Sequence, residues 1–171
     1  MANTRRRVTG AVAAGLVASA VGVGSPVAAG AGQADLAQVR AATAKYHDVA
    51  TAIADGYVAT DECVPGMGYH FVNFGQFGAM DPYQPDALLY AANEHGRMRL
   101  IGVEWFVVDE DQNPATHNAE IPEMFGRQFD GPMPGHEPGM PVHYDLHAYL
   151  WQGNPDGVLA TWNEKIRCHA E

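Results

Sequence analysis

The spacing of hydrophobic residues changes from helical to alternating near residue 57. Between Asp35 and Asp55 the larger apolar side chains recur at helical spacing among alanines, at Leu36, Val39, Tyr46, Val49, Ile53 and Tyr57. This pattern predicts one long amphipathic helix, which Gly56 would end. His47 lies beside the apolar stripe, and we therefore expect it at the surface.

The rest of the chain has the pattern of β-strands. In "DALLYAANEHGRMRLIGVEWFVVDED" two apolar, β-branched or aromatic runs flank Asn93–Gly96, which is typical of a hairpin with His95 in its turn. "YHFVN" and "VHYDLHAYLW" predict further strands, and the proline-rich residues 113–141 predict a long ordered loop. We expect an α+β fold, with one long N-terminal helix packed on a curved antiparallel sheet of about four to six strands, a cone or half-barrel.

Several ionisable residues occupy positions in otherwise apolar strands. In "VHYDLHAYLW" alternation places one set of side chains on the core face and His143, Asp145, His147, Tyr149 and Trp151 on the other. In "RLIGVEWFVV" Glu104 shares a face with Leu100 and Phe106, and in "GMGYHFVN" His70 shares one with Val72. Such a carboxylate must be paired, protonated or bound to a cation, because burying it alone costs several kcal/mol.

These positions predict a metal site if the strands are neighbours in one sheet. His70, Glu104 and His147 would then converge, and two histidines with one carboxylate bind zinc or non-haem iron. Strand residues two apart lie about 7 Å from each other, so His143 with Asp145, or Asp145 with His147, are possible ligand pairs. Asp145 or His143 would be a further ligand of the site. We predict copper, zinc or iron here. A hydrogen-bonded network without an ion, or a metal-free pocket or acid-base site, are the alternatives.

The stretch Gly131 to Trp151 has ligand-type residues at gaps of three and four. They are Met133, His136, Met140, His143 and His147. This spacing suits a helix, but four prolines between Pro132 and Pro141 exclude one. We interpret Met133, His136 and Met140 as part of a pliable loop over the site, with methionines packed on the sheet. Copper binding by these three residues is the alternative.

The N-terminus has the features of an export signal. Arg5, Arg6 and Arg7 precede an uncharged run of small apolar residues that ends in plausible cleavage sites after Ala29 and Ala31. We predict a signal peptide at residues 1–31 and a single secreted domain at residues 32–171, with no membrane span after cleavage. Loss of three arginines and no acid would lower the net charge from −10 to about −13. Such a surface repels nucleic acid and favours cations.

The chain has two cysteines, Cys63 and Cys168. In an exported protein they meet an oxidising compartment, and we expect them to form a disulfide. The alternative is a metal or nucleophile site in which Cys63 acts with a histidine.

The blocks "VPGMGYHFVN", "DPYQPDALLY", "LIGVEWFVV" and "LHAYLWQGNPDGVLATWNEKIRC" together resemble a widespread family of small exported bacterial proteins without an established activity. The preceding "KYHDVATAIADGYV" extends the resemblance over nearly the whole mature chain. It implies that His70, Glu104, His147, Cys63 and Cys168 occupy motif positions, whereas His143 and Met133 match no block. Asn163-Glu164 departs from the Asn-Pro of the family.

The leading hypothesis is a secreted protein that binds a transition metal. The alternative is a metal-free module for a small ligand or an envelope partner, with Trp151, Tyr149 and Trp105 as its contact surface. Whether the protein is an enzyme stays open. In a catalytic site the metal would activate water or oxygen, and Tyr149 or Asp145 would transfer protons. The sequence has no nucleophile elbow, HExxH, P-loop or dinucleotide fingerprint, so no motif supports a hydrolase or a nucleotide-binding protein.

Overall fold

The computed structural model describes Met1, residues 28–136 and residues 139–168. Residues 2–27, most of the predicted signal peptide, lie outside the described residues, and helix α1 (Ala28–Thr43) begins inside the predicted segment. Among the described helices, none has the length and apolar character needed to cross a membrane.

The helical region is divided, so the prediction of one long helix is wrong. A 3-10 turn, Ala44–His47, follows α1, and a short helix α2, Val49–Ala54, follows that turn. Asp48 between them has extended backbone angles, and its side chain accepts a hydrogen bond from the Ala50 amide at 3.0 Å. Aspartate stabilises a helix start better than a helix interior, which explains the break. Gly56 (φ 94°) follows α2 as predicted, and His47 is exposed as predicted.

Eight strands follow the helices in the described part of the chain. They are β1 (Val58–Val64), β2 (Gly68–Val72), β3 (Ala87–Ala92), β4 (Met98–Val108), β5 (Glu123–Met124), β6 (Arg127–Gln128), β7 (Asp130–Met133) and β8 (His143–Ala148). Six of them form one antiparallel sheet in the order β1-β2-β3-β4-β8-β7, and β5 pairs with β6. The antiparallel sheet and the hairpin between β3 and β4 are confirmed. The predicted fold class, α+β with a long helix on a cone or half-barrel, is wrong, because the chain is mostly sheet with short helical segments.

One face of the sheet is an apolar core under the helices. Its main cluster includes Leu36, Val39 and Tyr46 from the helical region and Leu88, Tyr90, Val103, Trp105, Tyr144 and Leu146 from the sheet. The Tyr90 hydroxyl donates to the Tyr46 carbonyl at 2.6 Å, which ties the 3-10 turn to β3. The opposite face therefore remains for the ionisable residues.

A β-bulge in β4 changes which residues share a face. Leu89 pairs with Gly102 but Tyr90 pairs with Leu100, so Ile101 is the extra residue. An extra residue reverses the alternation beyond it. Leu100 therefore packs in the main cluster and Ile101 packs on Leu89. The predicted grouping of Leu100 with Glu104 is wrong for this reason.

The disulfide between Cys63 and Cys168 is confirmed, with Cα atoms 5.8 Å apart across 105 positions of sequence. Cys63 is thereby excluded as a free metal ligand or nucleophile. Closing a loop of about 100 residues stabilises the fold by up to about 4.7 kcal/mol in the chain-entropy model. The bond fixes the C-terminal segment beside β1 and β2, where the amide of Asn163 donates to the carbonyl of Gly66 at 2.9 Å.

The segment predicted as a loop over the domain, residues 113–141, contains β5, β6 and β7. Met133 ends β7 and pairs with His143 of β8, so it belongs to the sheet and not to a loop. His136 and Met140 lie in the connection from β7 to β8.

Candidate metal centre

Strand register brings together three residues that are distant in sequence. Glu104 of β4 pairs directly with His147 of β8, which places both side chains on one face. His70 of β2 lies two strands away, because β3 separates β2 from β4. The residue of β3 opposite Glu104 is Ala87, whose small side chain lets the longer side chains of His70 and Glu104 meet above it.

The ligand-type atoms of these three residues all lie within 4.8 Å of one another. Glu104 Oε1 is 3.2 Å from His147 Nε2, and Glu104 Oε2 is 3.3 Å from His70 Nε2. Two ligands of one tetrahedral ion, each about 2.1 Å from it, are separated by about 3.4 Å. Both measured distances are close to that value, so the group could hold a metal.

The same atoms are poorly satisfied as hydrogen-bonding groups. His147 Nε2 and Glu104 Oε2 are buried and have no hydrogen-bond partner among the described residues, although His147 Nε2 lies near Glu104 Oε1 and Glu104 Oε2 lies near His70 Nε2. The two atoms are therefore close to possible partners but do not form hydrogen bonds with them, as expected of groups that face one common point. Buried polar groups without partners are costly and uncommon in folded proteins.

Burial shifts the acid-base properties of the group. It lowers the pKa of His70 to about 3, assisted by the nearby charge of His147, so His70 is a neutral imidazole. Burial also raises the pKa of Glu104 to about 8, against the opposing effect of His147. For His147 burial lowers the pKa, but Glu104 and Asp145 outweigh it and raise the pKa to about 9. A bound cation would favour a carboxylate and neutral imidazoles, the forms that metals bind.

Asp145 and His143, also predicted as ligands, lie outside this group. Asp145 Oδ1 is 3.6 Å from His147 Nδ1, on the ring nitrogen opposite to the one that faces Glu104. This separation is longer than a hydrogen bond, and neither His147 Nδ1 nor the Asp145 oxygens have a hydrogen-bond partner among the described residues. Asp145 therefore acts on His147 through its charge, which raises the pKa of that imidazole. His143 Nδ1 is 3.0 Å from the Pro141 carbonyl, and its ring contacts those of Phe106 and His136.

The site borders a cavity of about 350 Å³. His70 and Glu104 line it, as do Met133, His136 and Met140. That these three residues cover the site stays a prediction, and the loop position predicted for Met133 is wrong, because Met133 ends β7. Thr60, Glu62 and Val64 of β1 and Thr161 and Trp162 near the C-terminus also line the cavity. Sequence reasoning missed them, because nothing in their local pattern shows which residues fold toward a distant strand.

The aromatic residues predicted as a contact surface do not form one. Trp105 is fully buried and donates from Nε1 to the Asp81 carbonyl at 3.0 Å. Tyr149 is 3% exposed, and its hydroxyl lies 3.0 and 2.9 Å from the carbonyls of Gly66 and Thr161. Trp151 lies beyond the end of β8 and packs on the main core cluster, under Arg40. The Tyr149 hydroxyl, held by backbone, is also poorly placed to transfer protons.

Comparison with protein-family models, with curated proteins and with solved structures gives no match for this chain. The indication of function therefore comes from the site itself, a cluster of His70, Glu104 and His147 that could hold a metal.

Proposed function

We propose that this protein binds one transition-metal ion through His70 Nε2, the Glu104 carboxylate and His147 Nε2. The observation that carries the proposal is the convergence of three ligand-type groups within 4.8 Å, in which Glu104 Oε2 and His147 Nε2 are buried and lack a hydrogen-bond partner among the described residues. A structural polar network would satisfy these atoms internally, and here it does not.

The ligand set narrows the choice of metal ion. Two imidazoles and one carboxylate from the protein leave one or more coordination positions open, as in zinc hydrolases and iron oxygenases. Zinc and iron suit this set best, since neither methionine sulfur nor cysteine belongs to it. Copper is the third candidate, because imidazole also binds it well.

Metal analysis of the full chain purified without chelator tests the proposal. We expect close to one equivalent of metal in the native protein and in a His95→Ala control, since His95 is exposed in the β3–β4 turn. Glu104→Gln and His147→Ala should lose it, with the disulfide and the far-ultraviolet circular dichroism unchanged. Equal metal content in all four proteins, or no uptake of zinc, iron or copper by the native protein, would refute the proposal.

We also propose that the protein acts outside the cytoplasm. The disulfide, the arginine-preceded apolar segment and the resemblance to small exported proteins support this location. Mass spectrometry of the protein recovered from its host should show a chain that begins after Ala29 or Ala31. A full-length chain with reduced Cys63 and Cys168, found in the cytoplasm, would contradict the location.

A further inference from the structure

The cavity above the metal centre has mostly apolar walls. Val64, Met67, Val72, Phe106, Met133 and Met140 contribute them. They come from both edges of the sheet, because β1 supplies Val64 and β7 supplies Met133. The volume of about 350 Å³ is at the small end of the range of roughly 300–1,000 Å³ found for small-molecule sites. The cavity is therefore of a size for one small organic molecule.

The acidic side chains of the lining disfavour one class of ligand, anions, although the metal ion itself would attract them. Glu62, Glu104 and Asp130 are acidic, and no lysine or arginine lines the cavity in the part of the chain that the structure describes. Arg127 lies 3.2 Å from Asp130 but is not among the lining residues. An anion entering this cavity would meet like charges in an environment of low polarity, which is unfavourable.

The metal ligands lie on one side of the ion only. His70 and Glu104 line the cavity, whereas His147 is almost completely buried and does not line it. The open coordination positions of the metal therefore face the cavity and not the core. A molecule held by the apolar walls would present its end to the ion.

From this arrangement we infer that the cavity binds a small, uncharged, mainly apolar molecule with one nitrogen or oxygen donor, and that this donor occupies the open position of the metal. The inference rests on the proposed function and names the class of ligand. Apolar walls supply the affinity, the ion fixes the orientation, and the carboxylates discriminate against anions.

Three probes that share one imidazole donor test this assignment on the full-length protein loaded with cobalt(II). They are imidazole, 4-phenylimidazole and 4-(imidazol-4-yl)benzoate, and binding is followed by the visible absorption of the cobalt. We expect 4-phenylimidazole to bind about tenfold or more tightly than imidazole, because its phenyl ring is buried on the walls. The benzoate, of similar shape but negative, should bind more weakly than 4-phenylimidazole.

Two variants locate the effect in the cavity. Val64→Trp fills the space next to β2 and should remove the advantage of 4-phenylimidazole while leaving cobalt and imidazole binding unchanged. Met140→Trp fills it from the opposite side and is measured in parallel, so that a folding defect in one variant does not decide the result. Glu62→Lys, at an exposed position of the rim, should strengthen binding of the benzoate relative to 4-phenylimidazole.

The outcomes separate the two proposals. If cobalt does not bind, the proposed function is wrong and the ligand assignment is wrong with it. If cobalt binds to the native protein but 4-phenylimidazole binds no more tightly than imidazole, or if both tryptophan variants retain its advantage, the ligand assignment alone is overturned.

Discussion

Two of the buried carboxylates, those of Asp86 and Glu104, differ in how their oxygens are satisfied. Asp86, next to the start of β3, is 1% exposed, and its two oxygens accept backbone hydrogen bonds from Gly78 and Phe106 at 3.0 and 2.8 Å. Glu104 in β4 is 2% exposed, and its Oε2 has no hydrogen-bond partner among the described residues. The Asp86 carboxylate satisfies the backbone amides of Gly78 and Phe106. The Glu104 carboxylate faces two imidazoles and costs stability unless a cation joins them.

This difference distinguishes Asp86 from Glu104 without any knowledge of relatives. Asp145, beside His147, resembles Glu104 in this respect, because neither of its oxygens has a hydrogen-bond partner among the described residues. Burial alone does not distinguish Asp86 from Glu104, because both are almost completely enclosed. What distinguishes them is whether nearby N–H groups already satisfy the oxygens. Residues that reduce stability in this way are concentrated at functional sites.

The largest expected effect is the loss of stability in Asp86→Ala. It leaves the amides of Gly78 and Phe106 without their acceptors, and each buried unsatisfied group costs about 1–3 kcal/mol. We expect the free energy of unfolding of the metal-free protein to fall by about 3 kcal/mol in a urea titration. Glu94→Ala, at an exposed position of the hairpin turn, is the control and should change little. A fall below about 1 kcal/mol would show that Asp86 is not structural.

The next effect is stabilisation by metal. A ligand at one hundred times its dissociation constant stabilises the folded state by about 2.7 kcal/mol. We expect the native protein to gain about this much with the metal found by analysis, and Glu104→Gln to gain almost nothing, as measured by thermal melting. Equal gains in both proteins would place the metal elsewhere.

A smaller effect is expected for Glu104→Gln without metal. Burial raises the pKa of Glu104, so in the metal-free protein this side chain tends to hold a proton, and glutamine has nearly the same shape. We expect the free energy of unfolding to change by less than about 1 kcal/mol, in contrast with Asp86→Ala. A loss as large as that of Asp86→Ala would mean that Glu104 stabilises the fold as Asp86 does, and would contradict the contrast between the two residues.

The smallest effect concerns pH. Burial raises the pKa of Asp86 to about 6, against the lowering effect of its backbone hydrogen bonds, while the Lys45 ammonium lowers the pKa of Asp55. Because the folded state holds the Asp86 proton more tightly than the unfolded chain does, this residue favours folding below about pH 4, and the contribution is lost as the pH rises through about 6. Carboxyl-carbon NMR of the metal-free protein should show Asp86 titrating well above Asp55. The reverse order would contradict the assignment.

The site could be predicted in part because its signal is local. Glu104 and His147 interrupt alternating apolar strands, and the cost of burying such groups identifies them without any structure. The break between α1 and α2 also had a local signal, since Asp48 is a residue type that starts helices. The helical spacing of the apolar residues continues across Asp48, and for that reason the spacing wrongly predicts one long helix.

Other features had no local signal. The bulge at Ile101 depends on how β3 and β4 pair. The separation of His70 from Glu104 by one strand, β3, depends on the order of the strands in the sheet. The cavity joins β1, β7 and the C-terminal segment, which the disulfide holds in place. Pairing partners and register are set by the sum of many contacts across the whole domain, so a short window of sequence does not contain them.

The sequence by itself determined which side chains would cost free energy when buried, and therefore which residues are candidates for a functional site. Alternation along each strand depends on neighbouring residues, so His70, Glu104, Asp145 and His147 could be selected one strand at a time. Only the tertiary structure decided that His70, Glu104 and His147 meet within 4.8 Å while Asp145 lies behind His147. Metal coordination requires atoms to be placed within a few tenths of an ångström, and that placement depends on strand order and register, which are non-local.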